Sequence, residues 1–470
     1  MSEQAELRTF FRTYQRLKQP KYEPAGTSYA PLLAKAIEAR TRGDWDACVH
    51  YIGEIFAKFG PQPYPCLINL SLIRRAGNKE ALRLGYEALA EQWPAWVHGR
   101  MNAGLLLAEE GQYDRACWHF RKVLQLDEHN PDALMAMGMA HLGLGDLETA
   151  KRYFRQTLEY QPTDTKSLFR LRYAFGYLGR FDLFMQGEEL RWECEDDYAY
   201  DHGIPVGVAR HGSLWNGEPL TGKTLLILDE QGAGDTIQYA RWLPRLTEEA
   251  DQVWLRLKQP HLRTLLQAIA PKVQIVSHLE PLPLCEYYVG MLSLFHRLSM
   301  GRREEPAFPQ AFIPWRHETP DHLGLCWAGA KTHPRDRLRS MTWEQATTIL
   351  DAFHGSPFLD YTIGRERPDD ARALPIERGD YTTTAAQLAR CQALVTVDTS
   401  VAHVAGGMGI PVALLVATAP DVRWGAEGDA TPWYDSVRIF RQRKPGQWEQ
   451  PIAEAIAWVR SFLVAEGGTA

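Results

Sequence analysis

From about residue 27 to 190 the apolar positions keep a helical period, and a glycine interrupts them every 34 residues, at Gly43, Gly77, Gly111, Gly145 and Gly179. The same register carries Ala116 onto Ala150, Phe120 onto Phe154, Leu124 onto Leu158 and Gly104 onto Gly138, while Cys48, Leu82 and Tyr86 fill equivalent small or aromatic slots upstream. Apolar residues at helical spacing on both sides of each glycine predict helical hairpins with the glycine in the turn. Such hairpins stack, because one alone cannot bury its apolar face.

After Leu190 the helical period fails. The run Glu193-Cys-Glu-Asp-Asp-Tyr-Ala-Tyr-Asp201 and the glycine- and proline-bearing stretch from Gly203 to Gly222 read as a linker. An aspartate pair there could hold a divalent cation, although such charge runs are ordinarily solvated turns. From Leu225 onward short β-rich runs alternate with helical patterns. The first series is Leu225–Leu228, Val253–Leu257, Val273–Ser277 and Tyr287–Val289, with helices between, at Asp235–Ala250 and Pro260–Ala270 for example. Prolines at 306, 309 and 314 interrupt the alternation. The second series is Leu323–Trp327, Leu359–Ile363, Ala393–Val397, Pro411–Val416 and Val437–Phe440. Two such series predict two Rossmann-like parallel sheets wrapped by helices, facing each other across a cleft.

Composition sharpens this picture by exclusion. With 470 residues, 45% hydrophobic and 23% charged, the chain reads as two or three globular domains. A formal net charge of −6 argues against a nucleic-acid binder. No apolar run is long enough to cross a bilayer and the N-terminus lacks the layout of a signal peptide, so a cytoplasmic location is expected. The seven cysteines form no C-x-x-C pair and read as buried small apolar residues.

Ligands in open α/β sheets sit outside the carboxyl ends of the strands, so the loops there carry the candidate chemistry. Glu230-Gln-Gly-Ala-Gly234-Asp235-Thr-Ile-Gln238 reads as a strand, a glycine loop and a helix start. It lacks the third glycine of a dinucleotide fingerprint and the Gly-Lys-Ser/Thr of a P-loop. Asp235 serves either as a helix N-cap or as a general base. The second loop, 328–340, sets Lys331, Arg335, Arg337 and Arg339 after a strand, where guanidinium forks suit a diphosphate. The third delivers Asp398, Thr399 and Ser400 to a helix start, with His403 one turn on. There hydroxyls cap the helix or bind an anion beside its free N–H groups, and His403 is either a core residue or a ligand contact.

Residues 27–190 resemble the tetratricopeptide repeat in length, turn glycine, second-helix alanine and aromatic, and the late prolines Pro131 and Pro162. The remainder resembles bacterial glycosyltransferases of the lipopolysaccharide heptosyltransferase type, and more closely the proteins that join such a domain to tetratricopeptide repeats, some of them flagellin or other protein glycosyltransferases. The stretches that carry this are Leu214-Trp-Asn-Gly217, Glu230–Gln238, Trp327-Ala-Gly329, Asp336-Arg337 with Arg339-Ser340, and Val397-Asp-Thr-Ser-Val-Ala-His403. The resemblance implies a fold class of α plus α/β, a helical repeat solenoid followed by a GT-B pair of Rossmann-like domains. The implied domains are an extension at 1–26, repeats at 27–190, a linker at 191–222, an acceptor-side domain at 223–315 and a nucleotide-sugar-side domain at 316–470. By analogy Asp235 is the general base. Gly234, Lys331, Arg337, Arg339, Asp398, Thr399, Ser400 and His403 bind the nucleotide-sugar donor, and no metal or other cofactor is needed. Arginine stands where the heptosyltransferases carry a lysine-tryptophan-proline run, so donor identity does not carry over.

The implied function is inverting transfer of a sugar to a protein acceptor held by the repeats, with flagellin among the candidate acceptors. Two alternatives stay open. One is a polysaccharide or lipid-linked acceptor, with the repeats used for assembly into a homo-oligomer. The other is a non-catalytic scaffold with a degenerate sugar-nucleotide fold.

Overall fold

The computed structural model describes residues 29–42, 44–59, 66, 79–160, 165–192, 211–299, 310–315, 318–333 and 335–466. The acidic stretch at 193–201 and the turn glycines Gly43 and Gly77 lie outside the described residues.

The N-terminal part is a run of helices that pack as successive hairpins, the central ones being Val97–Glu109 with Tyr113–Leu124 and Pro131–Leu144 with Leu147–Glu159. Gly111, Gly145 and Gly179 all adopt left-handed backbone, φ 77°, 82° and 79°, a conformation that glycine reaches without a Cβ penalty. Around Gly145 the local chemistry is complete. Pro131 sits in the first turn behind an Asn130 cap, Gly145 ends that helix, and Asp146 accepts from Thr149 N at 3.1 Å to start the next. A Cβ added to Gly104 or Gly138 would fall 2.5 or 2.4 Å from the ring of Phe120 or Phe154, so each aromatic closes over bare backbone of the facing helix.

The C-terminal part holds two all-parallel sheets. The first has strands β1 (Ser213–Leu214), β2 (Thr224–Leu228), β3 (Gln252–Leu257), β4 (Gln274–Ser277) and β5 (Tyr287–Gly290), in the order β1-β5-β2-β3-β4. The second has β6 (His322–Cys326), β7 (Phe358–Asp360), β8 (Ala373–Pro375), β9 (Cys391–Val397), β10 (Val412–Val416) and β11 (Val437–Arg441), in the order β11-β10-β9-β6-β7-β8. Leu225 to Leu228 and Val412 to Leu415 are fully buried, as parallel strands covered on both faces must be.

Three sequence expectations need correction. β1 falls inside the expected linker and pairs with β5, and β8 was not anticipated; strands of two and three residues are too short to carry a pattern. The helix expected over 235–250 is three pieces, Ala233–Tyr239, a 3-10 turn Ala240–Trp242 and Leu243–Glu249, with Pro244 in the first turn of the last. Cys66 and Cys285 are part-exposed rather than buried, whereas Cys48, Cys117, Cys326 and Cys391 are buried. Cys194 lies outside the described residues.

One apolar core runs through all three parts, from Phe154 and Tyr177 of the repeats through Leu225 and Ile227 to Leu414, Trp424 and Trp433. The repeats dock turn-edge first against the second sheet. Thr418 Oγ1 donates to Gly143 O at 2.7 Å, Tyr177 Oη donates to Pro420 O at 2.7 Å, and Lys151 pairs with Glu427 at 2.9 Å. The first sheet is tied to the repeats by a buried fork. Arg191, in the turn Glu189–Trp192 that follows the last repeat helix, donates from Nε and Nη2 to the two carboxylate oxygens of Glu230 at 2.9 Å each. Among the described residues no helix is long and apolar enough to cross a membrane.

Candidate functional site

In both sheets the strand order reverses beside the first strand of a βαβ series: β3 and β4 lie on one side of β2 with β5 on the other, and β7 and β8 lie on one side of β6 with β9 on the other. A crevice opens at such switch points. The loops after β2, β6 and β9 converge there on a cleft of about 760 Å³, which the last repeat helices close on a further side.

The loop after β2 is held from both ends. Ahead of it, Glu230 takes the Arg191 fork and the Leu292 N–H at 3.1 Å. Gln231 then turns through φ 60°, left-handed backbone that a non-glycine residue adopts only under constraint. Behind it, Gly232 caps the helix and its N–H donates to Asp235 Oδ2 at 3.0 Å. Asp235 is therefore a helix-start residue through one oxygen. Its other oxygen points into the cleft, where Arg423 Nη2 donates to Oδ1 at 2.6 Å. Gly234 is required by close packing against the second half, since a Cβ there would lie 2.9 Å from His403 Cδ2.

Arg423, in the loop after β10, joins the two halves. Nε donates to Asp421 Oδ1 at 2.9 Å, Nη1 to Gln238 Oε1 at 2.8 Å, and Nη2 to Asp235. Burial works against ionisation of Asp421, but Arg423 outweighs it and holds the carboxyl down at about 2. The Asp398 carboxyl is pushed the other way, by desolvation on the cleft floor and then by the Asp421 charge. His403 is buried, hydrogen-bonded through Nδ1 to Tyr434 Oη at 2.8 Å and stacked on Trp424 at 5.3 Å. Burial, and after it the Arg423 and Arg241 charges, drive its pKa well below 6.5, so the ring is neutral at physiological pH.

In the second sheet's half the helix Ser400–Met408 starts at Thr399, whose side chain makes no cap bond, and Ser400 Oγ accepts from Tyr381 Oη at 2.6 Å. An N-terminus without a side-chain cap presents N–H groups and positive dipole to the cleft. Arg339 lies against it. Nη1 donates to Asp398 O at 3.0 Å, whereas Nε is buried without a hydrogen-bond partner. Ser340 Oγ, which donates to Asp336 Oδ1 at 2.7 Å, receives the Gly329 N–H at 3.0 Å, and Arg365 clamps Asp336 and Gly329 O from outside. This clamp sets the loop after β6 so that Arg335 and Arg339 line the cleft. His333 also lines it, with its pKa lowered to about 4 by desolvation and then by the Arg339 and Arg335 charges.

Of the residues singled out in the sequence, Gly234, Asp235, Arg339, Asp398, Thr399, Ser400 and His403 line the cleft. Lys331 and Arg337 are exposed and stand outside its lining. Sequence reasoning missed Arg423 and Asp421, which sit in a loop without a motif. It also missed Arg172 and Glu188, which the 34-residue register could have found, because they occupy the slots of Gly138 and Phe154 one unit on. Among the described residues no three His, Cys, Asp or Glu side chains come together in a way that could hold a metal ion.

Comparison with known proteins matches a family within the helical part and a relative over most of the chain. Residues 107–172 match the tetratricopeptide repeat family. The chain is 24% identical to protein FlbA of Caulobacter vibrioides over 414 residues, covering 77% of this chain and 67% of the relative. Among solved structures it is similar to a thermophilic tetratricopeptide-repeat protein of Thermus thermophilus, at 14% identity and a TM-score of 0.30, over 37% of this chain and 98% of that one. MamA of Desulfovibrio magneticus RS-1 aligns at 17% identity and a TM-score of 0.29, over 37% of this chain and 99% of that one. The chain thus carries a tetratricopeptide repeat domain, followed by two parallel sheets, and is a distant relative of FlbA.

Proposed function

We propose that the protein is a metal-independent, inverting glycosyltransferase of GT-B architecture that moves a sugar from a nucleotide sugar to a polypeptide held by the repeats. The observation that carries this reading is the convergence of three strand-end loops on one cleft, with Asp235 supplied by the first sheet and an uncapped helix N-terminus beside Arg339 by the second. Cleavage of the sugar C1–O–P bond builds charge on the diphosphate and needs a proton taken from the acceptor hydroxyl. The Ser400 helix start and Arg339 meet the first need and Asp235 the second. Arg423 has two anionic claimants in this scheme, Asp235 and the diphosphate. A donor that engages Arg423 frees Asp235 Oδ1 to accept a proton.

A binding-only role draws support from one observation: both oxygens of Asp235 are already engaged, by Gly232 N and by Arg423. A thermal-shift screen with UDP, GDP, ADP and CMP tests the binding step common to both readings. A ligand at about 100 times its Kd adds roughly 2.7 kcal/mol to stability. Arg339→Ala is expected to weaken the best nucleotide about 10- to 100-fold, the worth of a charge-assisted hydrogen bond. No shift with any nucleotide overturns both readings.

A further inference from the structure

The repeat register holds a substitution that the repeat fold does not call for. In two successive units the same pair of slots carries Gly104 with Phe120 and Gly138 with Phe154, each ring closed over its glycine. Thirty-four residues on, the slots carry Arg172 and Glu188. They form an ion pair, Arg172 Nε to Glu188 Oε1 at 2.5 Å, with side chains 5% and 7% exposed. The guanidinium also donates to Phe169 O at 2.7 Å and to Tyr173 Oη at 3.1 Å, and lies 4.1 Å from the centre of the Tyr173 ring.

Burying two charges costs several kcal/mol of desolvation per ion, and apolar residues of similar volume commonly serve stability as well or better. Two sibling units in this chain already use the apolar solution, so packing does not explain the pair. Its position does: Arg172, Tyr173, Phe184 and Glu188 line the same cleft as Asp235.

We propose that this last repeat unit is the acceptor-side wall of the cleft, with the part-exposed Tyr173 ring contacting a hydroxyl-bearing polypeptide and the Arg172–Glu188 pair fixing that ring. The inference rests on the glycosyltransferase reading above. Charge decides which substrate meets this wall. The Arg172 charge is matched by Glu188, so the pair offers a diphosphate no net positive charge, while the carboxylate's remaining lone pairs can accept hydrogen bonds from peptide N–H groups. The Ser400 helix start and Arg339 belong to loops of the second sheet, and Arg423, whose charge reaches Tyr173, is already shared between Asp235 and Asp421. The repeat that presents the polypeptide therefore also orients it, with Tyr173 as the contact and Arg172 and Glu188 as positioning residues.

The test restores the sibling pair. Arg172→Gly with Glu188→Phe is expected to melt at or above the wild-type temperature. Its rate of labelled-sugar transfer from a nucleotide sugar to a pooled library of serine- and threonine-bearing peptides should fall at least about 10-fold, the scale on which a central aromatic contact acts. The loss should lie in the KM for peptide, with nucleoside diphosphate affinity and acceptor-free donor hydrolysis within about two-fold of wild type. Tyr173→Ala, which leaves the ion pair intact, should give the same split and carries the test if the double variant melts low. Wild-type peptide transfer by both variants overturns the wall. A wild-type protein that neither binds nor turns over nucleotide sugars overturns the glycosyltransferase reading and the wall together, and that result is read on the wild type alone.

Discussion

Asp229 shows how one buried carboxyl writes itself into the pH dependence of the fold. It follows β2 fully buried, accepting from Thr236 Oγ1 at 2.5 Å and Lys258 N at 3.0 Å, yet burial still lifts its pKa from 3.8 to about 6. The folded state then binds more protons than the unfolded chain between those values, so this group's contribution to stability falls as pH rises through about 4 to 6. Asp229→Asn removes the titration. The amide oxygen can accept from Lys258 N while its NH₂ donates to Thr236 Oγ1, whose own hydroxyl keeps Gly232 O at 3.2 Å. Denaturant melts at pH 4 and pH 7 should lose on the order of 3 kcal/mol of pH dependence in the variant; an unchanged profile contradicts the assignment. Asp421 has the opposite sign. Held near 2 by Arg423, it contributes stability above about 4 that is lost as pH falls toward 2. At this scale the strand-end positions of Asp235, Arg339 and Ser400 were legible because hydrophobic runs point straight at them. Arg423 was not legible, because its role depends on three partners, Asp235, Gln238 and Asp421, two of them nearly 190 positions away in sequence.

The turn glycines separate what the repeat needs from what docking needs. Gly145 and Gly179 share a register and nearly the same φ, 82° and 79°. A Cβ on Gly145 would meet the Arg443 carbonyl oxygen at 2.3 Å, whereas one on Gly179 meets nothing within 4 Å. Gly179→Ala should cost only the left-handed strain, about 1 kcal/mol. Gly145→Ala must in addition push a backbone carbonyl away, and should cost at least about 1–2 kcal/mol more. Chemical melts of the two variants check this, and equal losses contradict the docked turn edge. The period of 34 revealed the hairpins and their turns. It could not reveal that the turn edge is the docked edge, because glycine is required in the turn whether or not anything approaches it.

The molecule as a whole is organised by the core that repeats and sheets share. Phe154, Ile227 and Trp424 belong to one apolar cluster, and the Arg191–Glu230 fork closes the joint with the first sheet. Cutting the chain near residue 190 would therefore expose apolar surface on both sides. Thermal unfolding is expected to show a single transition by circular dichroism and by tryptophan fluorescence. Arg191→Met should lower stability by about 3–5 kcal/mol, because it strands a buried Glu230 carboxylate. Two well-separated transitions in the wild type contradict the shared core. The two sheets were legible in the alternation of strands and helices; their union with the repeats was not, because packing between distant segments leaves no periodic trace.

In the proposed reaction Asp235 is the group that takes the acceptor's proton. The most direct test is release of nucleoside diphosphate from a nucleotide sugar in the presence of peptide acceptor, by the wild type and by Asp235→Asn, with nucleotide affinity measured on both. Asp235→Asn should retain nucleotide binding and turn over at least about 10²-fold more slowly, the usual share of a general base. Turnover by Asp235→Asn at the wild-type rate would contradict that role.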